Sequence, residues 1–427
     1  MERSSQGVHD SRFETRAAQI QLRISDFLRP DGRPVDLGGF CRLAAGLPSG
    51  MRAEVLADPR IVELAADRIT GTGETGFLSI DGMVGRLDCL PDELRSWIAS
   101  HPKVMAFVLR RLTSDGEKEP RLEVMTARLD GYGRKQKGVP AEIRPAVLAH
   151  PHIRGYVIRK LTGQGAPQPV SLTFFQATLP HVPQEVRSFV FHSPEVRDFL
   201  VGKLVGADAE EPPSPRLFQA SLKYVPEEMR AAVLVHPAIK AFLVDALGRP
   251  DKDEQGKSHF PSFSGYLARL EAVPPELKPA ILADERIKGL FAYYVLAMDE
   301  PMATFGLKLN RWLKVPASVA QAIIEHPQVR EDALRIFLGH DELDLPFEGR
   351  LKRWNSIPEC LVRTIMDDPS FKEGVVNAVI GAEEVAPIPF NDVKRRFERL
   401  PQPIAERVVT HLRLRAVLRL PPLPARR

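Results

Sequence analysis

Apolar residues recur along this chain in a frame set by prolines. Counted from Pro140, Ile143, Val147 and Leu148 stand three, seven and eight positions on. The same offsets hold Met51, Val55 and Leu56 after Pro48, and Ile404, Val408 and Val409 after Pro401. That spacing is one face of an α-helix. Apolar residues return thirteen, seventeen and twenty-one positions after the same proline, as in Ile153, Val157 and Leu161. They predict a further helix, broadly buried because positions sixteen and eighteen are mostly apolar too. A shorter helix is expected upstream. It is marked four positions before the anchor by Leu87, Leu179, Leu222, Leu270, Trp312, Trp354 and Phe397. Eleven before stand Ile80, Leu172, Phe263, Phe305, Phe347 and Phe390. In chain order these are helices A, B and C.

The frame repeats. Its anchors are Pro48, Pro91, Pro140, Pro183, Pro226, Pro274, Pro316, Pro358 and Pro401, separated by 43, 49, 43, 43, 48, 42, 42 and 43 residues. A period near 43 over almost the whole chain marks a repeat array, in which each unit packs only on its neighbours. Each anchor is expected at the first position of a ten-residue helix B, with Glu142, Glu185, Glu228 and Glu276 in the first turn, where negative charge is favoured. Helix B is stopped by a residue-proline pair: Asp58-Pro59, His101-Pro102, His150-Pro151, Ser193-Pro194, His236-Pro237, His326-Pro327 and Asp368-Pro369. The residue before a proline leaves the helical region, and the proline opens helix C. Asp and Ser cap well; His serves less well. Copy six has Asp284-Glu285 and copy nine His411-Leu412. Gly71, Gly163, Gly206, Gly339 and Gly381, each twenty-three after its anchor, are placed to close helix C.

Two intervals are long. Asp130 to Gly138 lengthens an A–B turn, and residues 249–259 lengthen a link between copies. Residues 14–28 form an amphipathic helix through Ala17, Ile20, Ile24, Phe27 and Leu28, expected to cap the first copy.

Three helices in about 43 residues resemble an armadillo-type unit, with a HEAT-type pair as the near alternative. The resemblance covers residues 36–420 in period and helix count. It implies an all-α, right-handed superhelix (a solenoid) of nine repeats, and implies nothing about chemistry. The organisation expected is a polar tail and capping helix over 1–35, the array over 36–420 and a basic Pro/Arg tail over 421–427.

A net charge of +4 on 427 residues sets up no global field towards nucleic acid or membrane. The three cysteines, Cys41, Cys89 and Cys360, have no metal-ligand spacing and are expected as free thiols of a reducing compartment. No apolar run approaches the roughly 18 to 20 residues that span a bilayer. The polar start has no apolar signal-peptide stretch. Together these point to the cytoplasm; the Ser-containing start also suits a bacterial effector exported into a host cell.

The candidate chemistry is sparse. Gly71-Thr72-Gly73-Glu74-Thr75-Gly76 matches G-x-G-x-x-G, but follows a helix and lacks the βαβ setting the motif needs. It is read as a helix stop and link. His101, His150, His236, His326 and His411 share one repeat position. Equivalent residues of neighbouring copies lie about 10 Å apart, whereas zinc ligands converge within about 2.1 Å of one ion. They are read as caps. His340-Asp341-Glu342 with Asp344 is read as a solvated linker, without the backbone geometry of a calcium loop.

The basic rows carry more information. Arg52, Arg95, Arg144, Arg187, Arg230 and Lys278 stand four after the anchor; Arg154, Arg197, Lys240, Lys288, Arg330, Lys372 and Arg415 stand fourteen after it. Such ladders suit phosphates or an acidic protein segment. The competing expectation is pairing with first-turn Glu of a neighbouring copy, because acids and bases recur in nearly the same copies. Tyr132, Arg134, Lys135 and Lys137 make a basic loop, and Arg407, Arg413, Arg415, Arg419, Arg426 and Arg427 a basic C-terminus. The candidate ligand-binding residues are Arg144, Arg187, Arg230, Arg154, Arg197, Lys240, Tyr132, Arg134, Lys135 and Lys137. No catalytic motif, cofactor site or metal site is recognised. The expectation is a non-catalytic scaffold that binds a protein or extended peptide along a concave face. The alternative is a nucleic-acid binder using the Arg/Lys ladders, and the third an enzyme or toxin with an unannounced site. No membrane partner is expected, and the oligomeric state is not read.

Overall fold

The starting proline accompanies a set length of helix C, and glycine closes five of these helices. The computed structural model describes residues 6–28, 35–72, 78–114, 119–131, 136–165, 169–252, 258–298, 300, 303–340, 345–384 and 386–420, with side chains from Thr15 onward except at Lys252, Ser258, His259 and Cys360. Pro59–Thr70, Pro102–Thr113, Pro151–Thr162, Pro194–Val205, Pro237–Gly248, Pro327–Leu338 and Pro369–Ile380 are each twelve residues long. The two intervals without the starting proline have shorter C helices, Glu285–Val295 and Leu412–Val417. The five closing glycines have φ between 66° and 80°, the left-handed conformation that a side chain disfavours. In copy six Ala297 holds the same place, at φ 58°.

The chain is all-helical. Among the described residues there are twenty-eight α-helices, and one antiparallel bridge pairs Asp251 with His259 and Lys252 with Ser258 in the long link. After the first helix, three fall to each interval, where the spacing places them. The chain divides into two compact units, Met1–Lys203 with Lys223–Val233, and Leu204–Leu222 with Leu234–Arg427. In the first, the C helices Pro59–Thr70, Pro102–Thr113 and Pro151–Thr162 pack one on the next. Ile153, Val157 and Leu161 are fully buried, as their register predicts. The helix Gln6–Leu28 packs on all three helices of the first copy. Its Phe27 meets Phe40 edge-on at 5.1 Å, while Ala17 and Leu28 remain exposed. In the second unit Pro327–Leu338, Pro369–Ile380 and Leu412–Val417 pack in the same succession.

Helix B departs from expectation. Pro48, Pro91, Pro183, Pro316, Pro358 and Pro401 are N-caps with ψ between 134° and 145°, so the helix starts one residue later. In copies three and six it starts only at Arg144 and Lys278, and runs six and five residues. The reason is a second proline: Pro145 and Pro279 have no N–H for the carbonyl one turn back. Helix A runs seven to ten residues, shorter than helix C in every copy but the last, yet shorter than helix B only in copies four, five and eight. Its start carries a signal the periodicity did not use. Ser79, Ser171, Ser214, Ser262 and Thr304 accept the N–H three residues on, at 3.0–3.4 Å.

Candidate functional site

The first basic ladder spends much of its charge inside the molecule. Arg52 lies 3.4 Å from Glu93, and Arg144 donates from Nε to Glu185 at 2.9 Å while its Nη1 meets Asp130 at 2.6 Å. Glu93 and Glu185 are first-turn acids of the next helix B, the partners that register anticipates. Arg95 instead binds Asp92 at 3.2 Å and the Asp88 carbonyl at 2.7 Å. Arg187 donates to the Val182 and Pro180 carbonyls at 3.2 and 3.0 Å, closing its own A–B turn. Arg230 has no ion pair among the described residues, and its Nε is buried without a partner.

In the second ladder, Lys240 lies 3.6 Å from Asp284. Arg330 donates Nε to Asp368 at 2.9 Å, with Nη2 on the same oxygen. Asp284 and Asp368 are N-caps of the following helix C, so these two pair with caps, whereas Lys288 meets the first-turn Glu285 of its own helix at 2.7 Å. Arg154 lies over the Phe189 ring at 4.5 Å, and Arg197 meets its neighbour Asp198 at 3.3 Å. Lys137 binds Asp88 through Nζ at 2.5 Å and Asp81 through its N–H at 2.7 Å. Tyr132, Arg134 and Lys135 lie outside the described residues, as do Gly73–Gly76, Asp341, Glu342, Asp344, Gln168, Arg426 and Arg427.

Asp368 shows what such pairing does. Its side chain is 6% exposed. Burial pushes its carboxyl up, but the Arg330 guanidinium and the Ser370 and Phe371 N–H groups together outweigh burial and hold it below the ordinary 3.8. A carboxyl with a lowered folded value contributes stability that is present above about pH 3.8 and lost as pH falls through that lower value. Asp368→Asn keeps the cap and removes the charge. Urea denaturation from pH 7 to pH 2.5 is expected to show the largest gap between wild type and variant near neutrality, closing on the acid side. A constant gap would assign the effect to packing.

The histidine row caps helices. His101, His150 and His236 accept through Nδ1 the N–H two residues on, at 3.2–3.3 Å. His326 and His411 occupy the same place without that bond, and His411 turns Nε2 to Glu373 at 3.1 Å. Among the described residues no group of three His, Cys, Asp or Glu is placed to hold a metal, and no single helix is long and apolar enough to cross a membrane.

A third basic row escaped the sequence reading. Arg86, Arg128, Arg269, Arg311, Arg353 and Arg396 lie on helix A and donate Nη1 to the carbonyls of Arg68, Arg111, Ala246, Tyr294, Ile336 and Ala378, at 2.6–3.3 Å including the second acceptor of Arg269. Each acceptor stands twenty after its anchor, in the last turn of the preceding helix C. Carbonyls there carry the negative end of the helix dipole, and those of Tyr294 and Ile336 also accept a backbone N–H at 3.1 and 3.2 Å. Arg311, Arg353 and Arg396 also lie over Phe263, Phe305 and Phe347, at 5.9, 4.4 and 5.0 Å. The signal was an arginine five before five anchors, and twelve before Pro140 because of the lengthened turn; copies one, four and five have Leu43, Thr178 and Ser221 instead.

Openings lie at these rows in the first unit. A groove of about 430 Å³ is lined by Arg187, Phe191, Lys223, Tyr224, Glu228 and Arg230. A crevice of about 500 Å³ runs between the helices Leu122–Asp130 and Leu172–Thr178 and the end of Pro151–Thr162. Phe174, 50% exposed, stands at its edge. Set against known proteins, the chain matches no family model, and no curated protein or solved structure resembles it significantly.

Proposed function

We propose that the copies stack as a right-handed α-solenoid of nine three-helix repeats, and that the protein is a non-catalytic scaffold binding a protein or an extended peptide along its concave face. One observation carries the choice of partner. Arg52, Arg144, Lys240 and Arg330 pair with acids of the next copy, so these ladder positions do not stand as a row of free cations for phosphates. The openings that remain mix both charges with apolar side chains, which suits peptide recognition.

A second reading, a nucleic-acid binder, is favoured by the groove at Arg187 and Arg230. Lys223 lies 4.9 Å over the Tyr224 ring there, a basic and aromatic pairing that suits stacked bases.

The two readings part on salt and on place. Arg144→Ala is expected to lower stability by about 1 kcal/mol, since Asp130 and Glu185 are half-exposed. Labelled single-stranded and duplex oligonucleotides are expected to bind weakly near 150 mM salt, with Arg187→Ala/Arg230→Ala changing little. Proteins retained from lysate are expected to stay after nuclease treatment. Tight oligonucleotide binding, lost in a folded Arg187→Ala/Arg230→Ala variant with a salt slope reduced by about one per charge, would promote the second reading.

A further inference from the structure

We infer that the crevice at Thr178 is a docking site for an arginine side chain of a protein partner, which supplies in trans the contact that six helix-A arginines make in cis. In those copies a guanidinium donates to the carbonyl twenty positions after the preceding anchor. In copy three that carbonyl belongs to Lys160, and the residue facing it from the next helix A is Thr178. Both line the crevice, and no side chain among the described residues donates to the Lys160 carbonyl. The space is about 500 Å³, against about 180 Å³ at the equivalent crevice that Arg128 lines.

The rest of the lining is mixed: Leu122, Glu119 and Glu123 suit a guanidinium, and they stand beside the cations Arg121, Arg159 and Lys160. Leu122 opens helix A of copy three, at the position from which Phe263, Phe305 and Phe347 face the arginines of the next copy. It presents an apolar floor. Glu119 and Glu123 contribute carboxylates on that same side. Glu119 is shared with Lys160 at 2.9 Å and Arg159 at 3.4 Å. These cations do not bar a further one: Arg86 and Arg128 bind the carbonyls of Arg68 and Arg111, themselves arginines. The C-terminal dipole of helix Pro151–Thr162 is the common attractor. Lysine presents one compact head in place of a flat fork, so the site favours arginine.

The inference rests on the peptide-binding reading, but its test needs no partner. The probe is Nα-acetyl-arginine amide, followed by NMR shifts of the protein, with the lysine and citrulline amides alongside. Millimolar binding by the arginine probe is expected, centred on Thr178 and Gly163, and about tenfold weaker binding by neutral citrulline. Thr178→Arg places a guanidinium in cis; it is expected to raise the melting temperature and abolish probe binding. Thr178→Met, which fills the crevice without a donor, is expected to block the probe too and keeps the test valid should the arginine variant misfold. No shift up to 50 mM probe, equal binding of citrulline, or undiminished binding in both variants would overturn the inference. The scaffold reading would survive that result, because it stands or falls on the oligonucleotide and nuclease experiments.

Discussion

Val157→Asp is expected to destabilise the protein by at least about 4 kcal/mol. Val157 is fully buried in the middle of Pro151–Thr162, one of three successive C helices packed side by side in the first unit. A carboxylate there loses its water and gains no donor, since Ile153 and Leu161 on the same helix face are buried hydrocarbon. The same substitution at Val235, 77% exposed at the end of a helix B, is expected to shift stability by no more than about 0.5 kcal/mol. Urea denaturation of the two variants decides it. Equal midpoints would mean that helix C does not bury the face that its register assigns.

Arg353→Ala is expected to cost about 3 kcal/mol, an unusual loss for removing a charged residue. Arg353 is 4% exposed, donates to the Ile336 carbonyl at 2.7 Å and lies 4.4 Å over Phe305. A hydrogen bond from a charged donor contributes about 1.5 to 3 kcal/mol, and the vacated volume adds to that. Arg353→Met keeps much of the stem's packing and loses the donors, so about half of the loss is expected to remain. If the methionine variant matched wild type, the guanidinium-to-carbonyl bond would be incidental and the reasoning at Thr178 would lose its basis.

Much of this chain was legible without coordinates, for a local reason. Whether a stretch is helical, which face it buries and where it stops depend on residues within a few positions: the apolar spacing of Ile153, Val157 and Leu161, the proline at 151, the glycine at 163. That reasoning erred where two local signals competed. The anchor prolines proved to be caps, and Pro145 and Pro279 delayed helix B, because a missing N–H outweighs a good apolar register. The ladders were visible as rows, yet Arg144 and Arg187, alike in sequence position, have different partners: one acids, the other its own turn carbonyls.

The row at Arg86, Arg311 and Arg353 lay equally in view, and tertiary structure alone showed its purpose. A charged side chain is ordinarily assigned to solvent. Its burial becomes favourable only when a bend in the chain brings helix A across the end of the preceding helix C, setting last-turn carbonyls opposite the guanidinium. Arg353 and Ile336 are 17 residues apart, beyond any helical or turn periodicity. The crevice at Thr178 is the other side of the same rule. A threonine in a helix carries no message until six other copies show an arginine in that place. Pattern along the chain determined the helices and their order; the chain's return upon itself determined which polar groups meet and where one place is left open.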